Sequence, residues 1–202
     1  MIGKTIVILG GGIGGLVAAN ELRRLLPDEH RIALVEKNPR HAFAPSFLWL
    51  MTGDRRPEQI TRDVRRLVRP GVEIVLAEAQ AIDLSNRVVQ TSAQSLNYNY
   101  LIIALGAELA PEAIPGLAES AQTFYTLDGA TKLRDALQNF KSGKVAVTVS
   151  ALPYKCPARR TKAPCSSGII FASADWATRP RCICSPRNHS LCRSPARRWV
   201  TR

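Results

Sequence analysis

The sequence predicts an α/β fold that opens on a strand, a glycine turn and a helix, and three observations carry that expectation. Residues 5–9 are an uninterrupted apolar run; Gly10-Gly11-Gly12-Ile13-Gly14-Gly15 follows at once; and residues 16–26 keep a helical spacing before a second apolar run that closes on Glu36. A GxGxxG match alone is weak. Set between a strand pattern and a helix pattern, with an acid about 20 residues further on, it is the dinucleotide-binding fingerprint of a Rossmann-type domain.

Each glycine has a mechanical task in such a turn. Gly10 permits the sharp exit from the strand, Gly12 leaves room for a pyrophosphate beside the backbone, and Gly15 lets the helix lie close on the sheet. Free N–H groups and the positive end of the helix then make an anion site without Lys or Arg. Glu36 accepts hydrogen bonds from ribose hydroxyls and repels a 2′-phosphate; Arg40 either offsets that preference or is a solvated surface arginine. The plain alternative is a glycine-rich turn that binds nothing.

Residues 31–36 complete a βαβ unit. Residues 41–49 read as an aromatic, proline-broken loop, and residues 57–67 as a helix with Arg62, Arg65 and Arg66 on a solvated face. Short apolar pieces at 72–77, 81–84, 87–91 and 96–97 suggest a small meander. Residues 100–107 read as a fully buried parallel strand ending in glycine, returning to the first sheet beside the nucleotide. Past the break at Ile114-Pro115-Gly116, residues 128–140 form an amphipathic helix with Leu133, Leu137 and Phe140 inward, and residues 145–149 another buried strand. The expected organisation is a dinucleotide-binding domain over 1–110, incomplete, the start of a second such domain over 111–157, and a basic tail over 158–202.

Composition supports that division. The 202 residues are 46% hydrophobic with a net charge of +12. Residues 1–157 hold 18 basic against 15 acidic residues, whereas residues 158–202 hold ten basic residues and one acid, Asp175, so the basicity belongs to the tail. Four of five cysteines, Cys165, Cys182, Cys184 and Cys192, fall there too. The opening residues enter a strand without a signal-peptide layout, and no stretch reaches the roughly 20 apolar residues of a membrane span, so a cytoplasmic protein is expected. Cys182-x-Cys184 with His189 and Cys192 imitates a zinc cluster but lacks paired CxxC knuckles, and no metal is expected. An arginine-rich tail binds nucleic acid nonspecifically or stays a disordered Pro, Ser and Arg segment; no specific nucleic-acid partner follows.

GGGIGG with Glu36, AFAPSFLWLMTG at 42–53, YNYLIIALGA at 98–107 and LPYKCPA at 152–158 stand in the order of a known group. From residue 4 to residue 158 the chain resembles the sulfide:quinone oxidoreductase branch of the two-dinucleotide-domain flavoproteins, within the FAD-dependent pyridine nucleotide-disulfide oxidoreductases, a branch similar also to flavocytochrome c sulfide dehydrogenases. The resemblance implies FAD in the first site, sulfide oxidised to sulfane sulfur, electrons passed to quinone, and peripheral association with the inner face of the cell membrane in full-length members. It implies a redox role beside the flavin for Cys156, where Lys155 helps lower the thiol pKa; on residue type alone an inert, half-buried cysteine is the alternative. It also makes Lys37, Pro45, Ser46, Ala104 and Gly106 cofactor contacts alongside Gly10, Gly12, Gly14, Gly15 and Glu36.

Beyond residue 158 the resemblance stops. Taking the last base of each codon with the first two of the next, residues 159–167 permit Pro-Tyr-Glu-Gly-Ala-Leu-Leu-Leu, which continues the family pattern. In the same phase residues 182–188 permit His-Leu-Phe-Thr-Pro-Glu. The tail therefore reads as out of frame, and the expected product is a truncated, catalytically impaired flavoprotein. A type II NADH:quinone oxidoreductase-like protein and a non-enzymatic nucleotide-binding fragment are the competing readings.

Overall fold

The computed structural model describes residues 3–142 and the backbone of residues 170–171 and 181–182. The chain divides into two compact units, Met1–Asp135 and Ala136–Arg202. In the first, strand β1 (Thr5–Leu9) leads through the glycine turn into helix α1 (Ile13–Leu25), and strand β2 (Arg31–Glu36) returns parallel to β1 with Thr5 opposite Arg31 and Leu9 opposite Val35. The apolar side chains of β1 alternate between two hydrophobic layers. Ile6 and Ile8 pack with Leu16 and Ala19 of α1, and Val7 and Leu9 pack with Val89, Leu96 and Tyr98 on the opposite face. A strand covered on both sides has no polar face to show, which is why residues 5–9 are continuously apolar.

Arg23 fastens the end of α1. Its buried guanidinium donates to the carbonyls of Leu26, Pro27 and His30 at 2.6–3.0 Å, where a cation suits the negative end of the helix. That clamp fixes the entry into β2 and so the height at which Glu36 emerges.

The segment expected as a loop at 41–49 is structured: strand β3 (Arg40–Ala42), a 3-10 turn at Ala44–Ser46, and helix α2 (Phe47–Met51). The single helix expected over 57–67 is instead a short helix α3 (Pro57–Ile60), strand β4 (Thr61–Asp63) antiparallel to β3, and a 3-10 turn at Val64–Arg66. The apolar spacing there had mimicked a helical period, yet Ile60 packs with Phe47 and Leu50 while Val64 packs with the α1 layer. The first expected meander strand, β5 (Val72–Leu76), belongs to the parallel sheet beside β2. The meander proper is β6 (Ala79–Asp83), β7 (Val88–Thr91) and β8 (Ser95–Asn97).

Strand β9 (Tyr100–Ile103) pairs parallel with β1, giving the sheet order β5-β2-β1-β9. It does return beside the glycine turn, but it is shorter than expected and not fully buried. Among the described residues β1 is its one sheet neighbour, and Tyr100, Ile103 and Leu105 are each at least 60% exposed. After helix α4 (Leu117–Ser120), helix α5 (Leu127–Asn139) buries Gly129 and Ala130, with Ala130 packed on Phe47, Leu50 and Ile60. Leu133, Leu137 and Phe140, expected inward, are half-buried. In the second unit, strands β10 (Ile170–Phe171) and β11 (Arg181–Cys182) form an antiparallel pair. The expected strand at 145–149, Cys156, and the tail cysteines apart from the backbone of Cys182 lie outside the described residues.

Arg31 and Glu73 bridge β2 and β5 in a two-point ion pair at 2.7 and 3.0 Å. The hydrogen bond from Arg31 holds the Glu73 carboxyl below its ordinary value, with the guanidinium charge adding to it against a desolvation effect of opposite sign. A carboxyl with a lowered folded-state pKa stabilises above the ordinary carboxylate range and loses that contribution as pH falls through the lowered value. Both side chains are over a third exposed, so Arg31→Ala is expected to cost less than about 1 kcal/mol. Urea melts at neutral pH show the deficit, and melts well below the carboxylate range show none.

Candidate nucleotide-binding site

The site is built where β1 hands over to α1. Gly10 has φ +99°, and a Cβ on it would stand 2.4 Å from the Ala104 carbonyl oxygen, so the turn is pressed against the end of β9. Its N–H donates to Val35 O at 2.8 Å, and Ala104 N–H donates to Leu9 O at 2.8 Å. Gly15 is the other packing glycine: a Cβ there would come within 1.8 Å of the Gly10 carbonyl oxygen. Gly12 is different, because a Cβ there meets nothing within 4 Å. It is exposed and opens α1 without a side-chain cap, so the amides of Gly12, Ile13 and Gly14 lack intrahelical acceptors. Open space in front of free N–H groups at the positive end of a 13-residue helix is what a pyrophosphate needs.

Glu36 sits at the carboxyl end of β2 with both oxygens engaged. Oε2 accepts the Gly11 N–H at 2.5 Å and Oε1 accepts the Asn38 N–H at 2.8 Å. The carboxylate is thereby held rigid beside the turn, with lone pairs left over for ribose hydroxyls.

The structure thus brings Gly10, Gly12, Gly14, Gly15, Glu36 and Ala104 together, the Ala104 methyl lying 3.8 Å from where a Cβ on Gly14 would be. Gly106 has φ +77° with open space around it. Lys37 is exposed and its Nζ is 3.4 Å from Glu78. Pro45 is exposed and Ser46 is buried in the 3-10 turn ahead of α2. Sequence reasoning had passed over His41, whose Nδ1 lies 3.0 Å from the Gly11 carbonyl oxygen. A lone histidine in an aromatic stretch carries no pattern that would have singled it out.

A parallel sheet with a glycine turn, free helix-opening amides and an acid on the neighbouring strand defines the class of α/β dinucleotide-binding proteins. The chain belongs to the pyridine nucleotide-disulphide oxidoreductase family, whose profile matches residues 4–149. It is 32% identical over 152 residues to the sulfide-quinone reductase of Aquifex aeolicus, covering 74% of this chain and 35% of that one. It is 35% identical over 145 residues to the demethylphylloquinone reductase NdbB of Synechocystis, covering 67% of this chain and 36% of that one. The solved structure of the Aquifex aeolicus sulfide:quinone oxidoreductase superposes with a TM-score of 0.61 at 31% identity, over 67% of this chain and 32% of that chain. The chain therefore spans about a third of the length of these relatives, all of them oxidoreductases by name. Among the described residues no helix is long and apolar enough to cross a membrane.

Proposed function

We propose that the turn binds the ADP moiety of FAD and that the lineage is that of a sulfide:quinone oxidoreductase. The observation that carries the reading is the open space at Gly12 in front of unpartnered amides, with Glu36 fixed beside it. The helix opening would take the pyrophosphate and Glu36 the ribose hydroxyls, and Gly106 with Pro45 and Ser46 of the 42–53 segment would contact the flavin. Bound there, FAD supplies a two-electron relay between sulfide and quinone. Cys156 serves as the sulfur-carrying thiolate, with Lys155 favouring its charged form. The quinone acceptor draws support from both named relatives, and sulfide from the Aquifex protein. Residues 158–202 are proposed to be read out of frame, which would remove most of a second domain and impair turnover; the membrane face is the proposed site of the quinone.

Calorimetry of the 202-residue chain with ADP tests the first part, and saturable binding is expected. For the second, the chain with its phase restored from codon 158 should carry a flavin spectrum that sulfide bleaches and a quinone restores. A restored chain without flavin overturns the reading. Bleaching by NADH but not by sulfide would replace it with the type II NADH:quinone oxidoreductase reading.

A further inference from the structure

We infer that His41 is a positioning residue for the phosphate-binding turn, aiming the Gly12 amide through the Gly11 carbonyl. The inference rests on the dinucleotide reading of the site and names a residue outside the glycine fingerprint. The His41 Nδ1 lies 3.0 Å from the Gly11 oxygen. A carbonyl only accepts, so Nδ1 carries the proton and donates. The Gly11 carbonyl and the Gly12 N–H belong to one planar trans peptide, in which the two groups point in opposite directions. Drawing the oxygen inward to the imidazole therefore turns the Gly12 N–H outward, into the space where a Cβ on Gly12 meets nothing within 4 Å. No protein acceptor takes that N–H among the described residues.

The anchor is itself held. His41 lies in β3 opposite Arg62 of β4. Val64 N–H closes onto Pro39 O at 2.9 Å at one end of that ribbon, and Phe43 N–H onto Ile60 O at 2.9 Å at the other. Arg40 donates to Thr61 Oγ1 at 2.8 Å, and Arg62 donates to the carbonyls of Glu58, Gln59 and Thr61. On the other side of Gly11, its N–H is fixed by Glu36 at 2.5 Å. Gly11 is thus gripped through both backbone groups from two different strands. His41 also borders an open groove lined by Ile13, Leu16, Val17, Phe43, Ile60 and Leu67, with Arg62 at its side.

The test compares ADP with adenosine, which lacks the phosphates, on the full 202-residue chain by NMR titration. His41→Phe keeps a planar ring, somewhat larger, and loses the donor; it is expected to weaken ADP about tenfold, leave adenosine unchanged, and abolish the ADP-induced shift of the Gly12 amide. His41→Asn places an amide N–H the same number of bonds from Cβ as Nδ1 and is expected to return ADP affinity to within about threefold of wild type. His41→Gln carries its donor one bond further and behaves like the phenylalanine variant, which keeps the comparison available if that variant fails to fold. Equal ADP affinity in wild type and the donor-deficient variants overturns the role of His41 alone, as does an equal loss for ADP and adenosine. A wild-type chain blind to ADP overturns the role and the nucleotide reading together.

Discussion

Gly15→Ala is expected to destabilise the first unit by about 3 kcal/mol or more and to remove measurable ADP binding, the overpacking cost standing at the upper end of its usual range. The added Cβ would lie 1.8 Å from the Gly10 carbonyl oxygen and 3.0 Å from its carbon, both backbone atoms. Gly10 cannot yield. Its N–H is bonded to Val35 O, and the space above its own Cα is taken by the Ala104 carbonyl at 2.4 Å from an ideal Cβ. Helix α1 would have to lift off the sheet, dragging Leu16 and Ala19 out of their layer. Gly12→Ala is the control: with φ −71° and nothing within 4 Å, the methyl strains nothing in the fold but stands in the space proposed for the phosphates. Thermal melts and calorimetry should therefore separate the two glycines. Gly15→Ala loses both melting temperature and ADP, whereas Gly12→Ala loses ADP with the melt preserved. A wild-type melt for Gly15→Ala would refute the close packing of the turn.

Glu36→Gln is expected to weaken ADP about thirtyfold, corresponding to about 2 kcal/mol for a lost hydrogen bond to a charged group. Two backbone donors, Gly11 N–H and Asn38 N–H, converge on the two carboxylate oxygens at 2.5 and 2.8 Å. A glutamine offers one acceptor and one NH2 group, so one of the two backbone N–H groups, that of Gly11 or that of Asn38, is left facing a donor and the two-point hold on the carboxyl group is lost. Ribose selectivity should change as well. The carboxylate repels a 2′-phosphate through close like charge, and the amide does not. Competition between ADP and its 2′-phosphorylated counterpart measures this, with the preference for ADP expected to narrow in the variant. An unchanged ratio would detach Glu36 from the ribose.

How far the sequence foretold all this follows from which forces act locally. Strands β1 and β2 were legible to the residue because a strand sandwiched between two apolar layers must be apolar throughout. The glycine turn was legible because its steric demands name the residue type. Residues 57–67 misled because Ile60, Val64 and Leu67 fall at helical spacing while serving different parts of the core. β5 looked like part of the meander because its pairing with β2 is a non-local contact that its own side chains do not announce. β9 looked buried because its residues are apolar, but burial also needs a neighbour on the far side, and among the described residues no strand stands there. His41 was invisible for a deeper reason: its task depends on a peptide plane 30 residues away, which exists only once β3 is zipped to β4.

The outer margin of β9 has a biological corollary. Among the described residues no strand pairs with the side of β9 away from β1, and Tyr100, Ile103 and Leu105 are exposed beside it; an edge of that kind is a template for another chain.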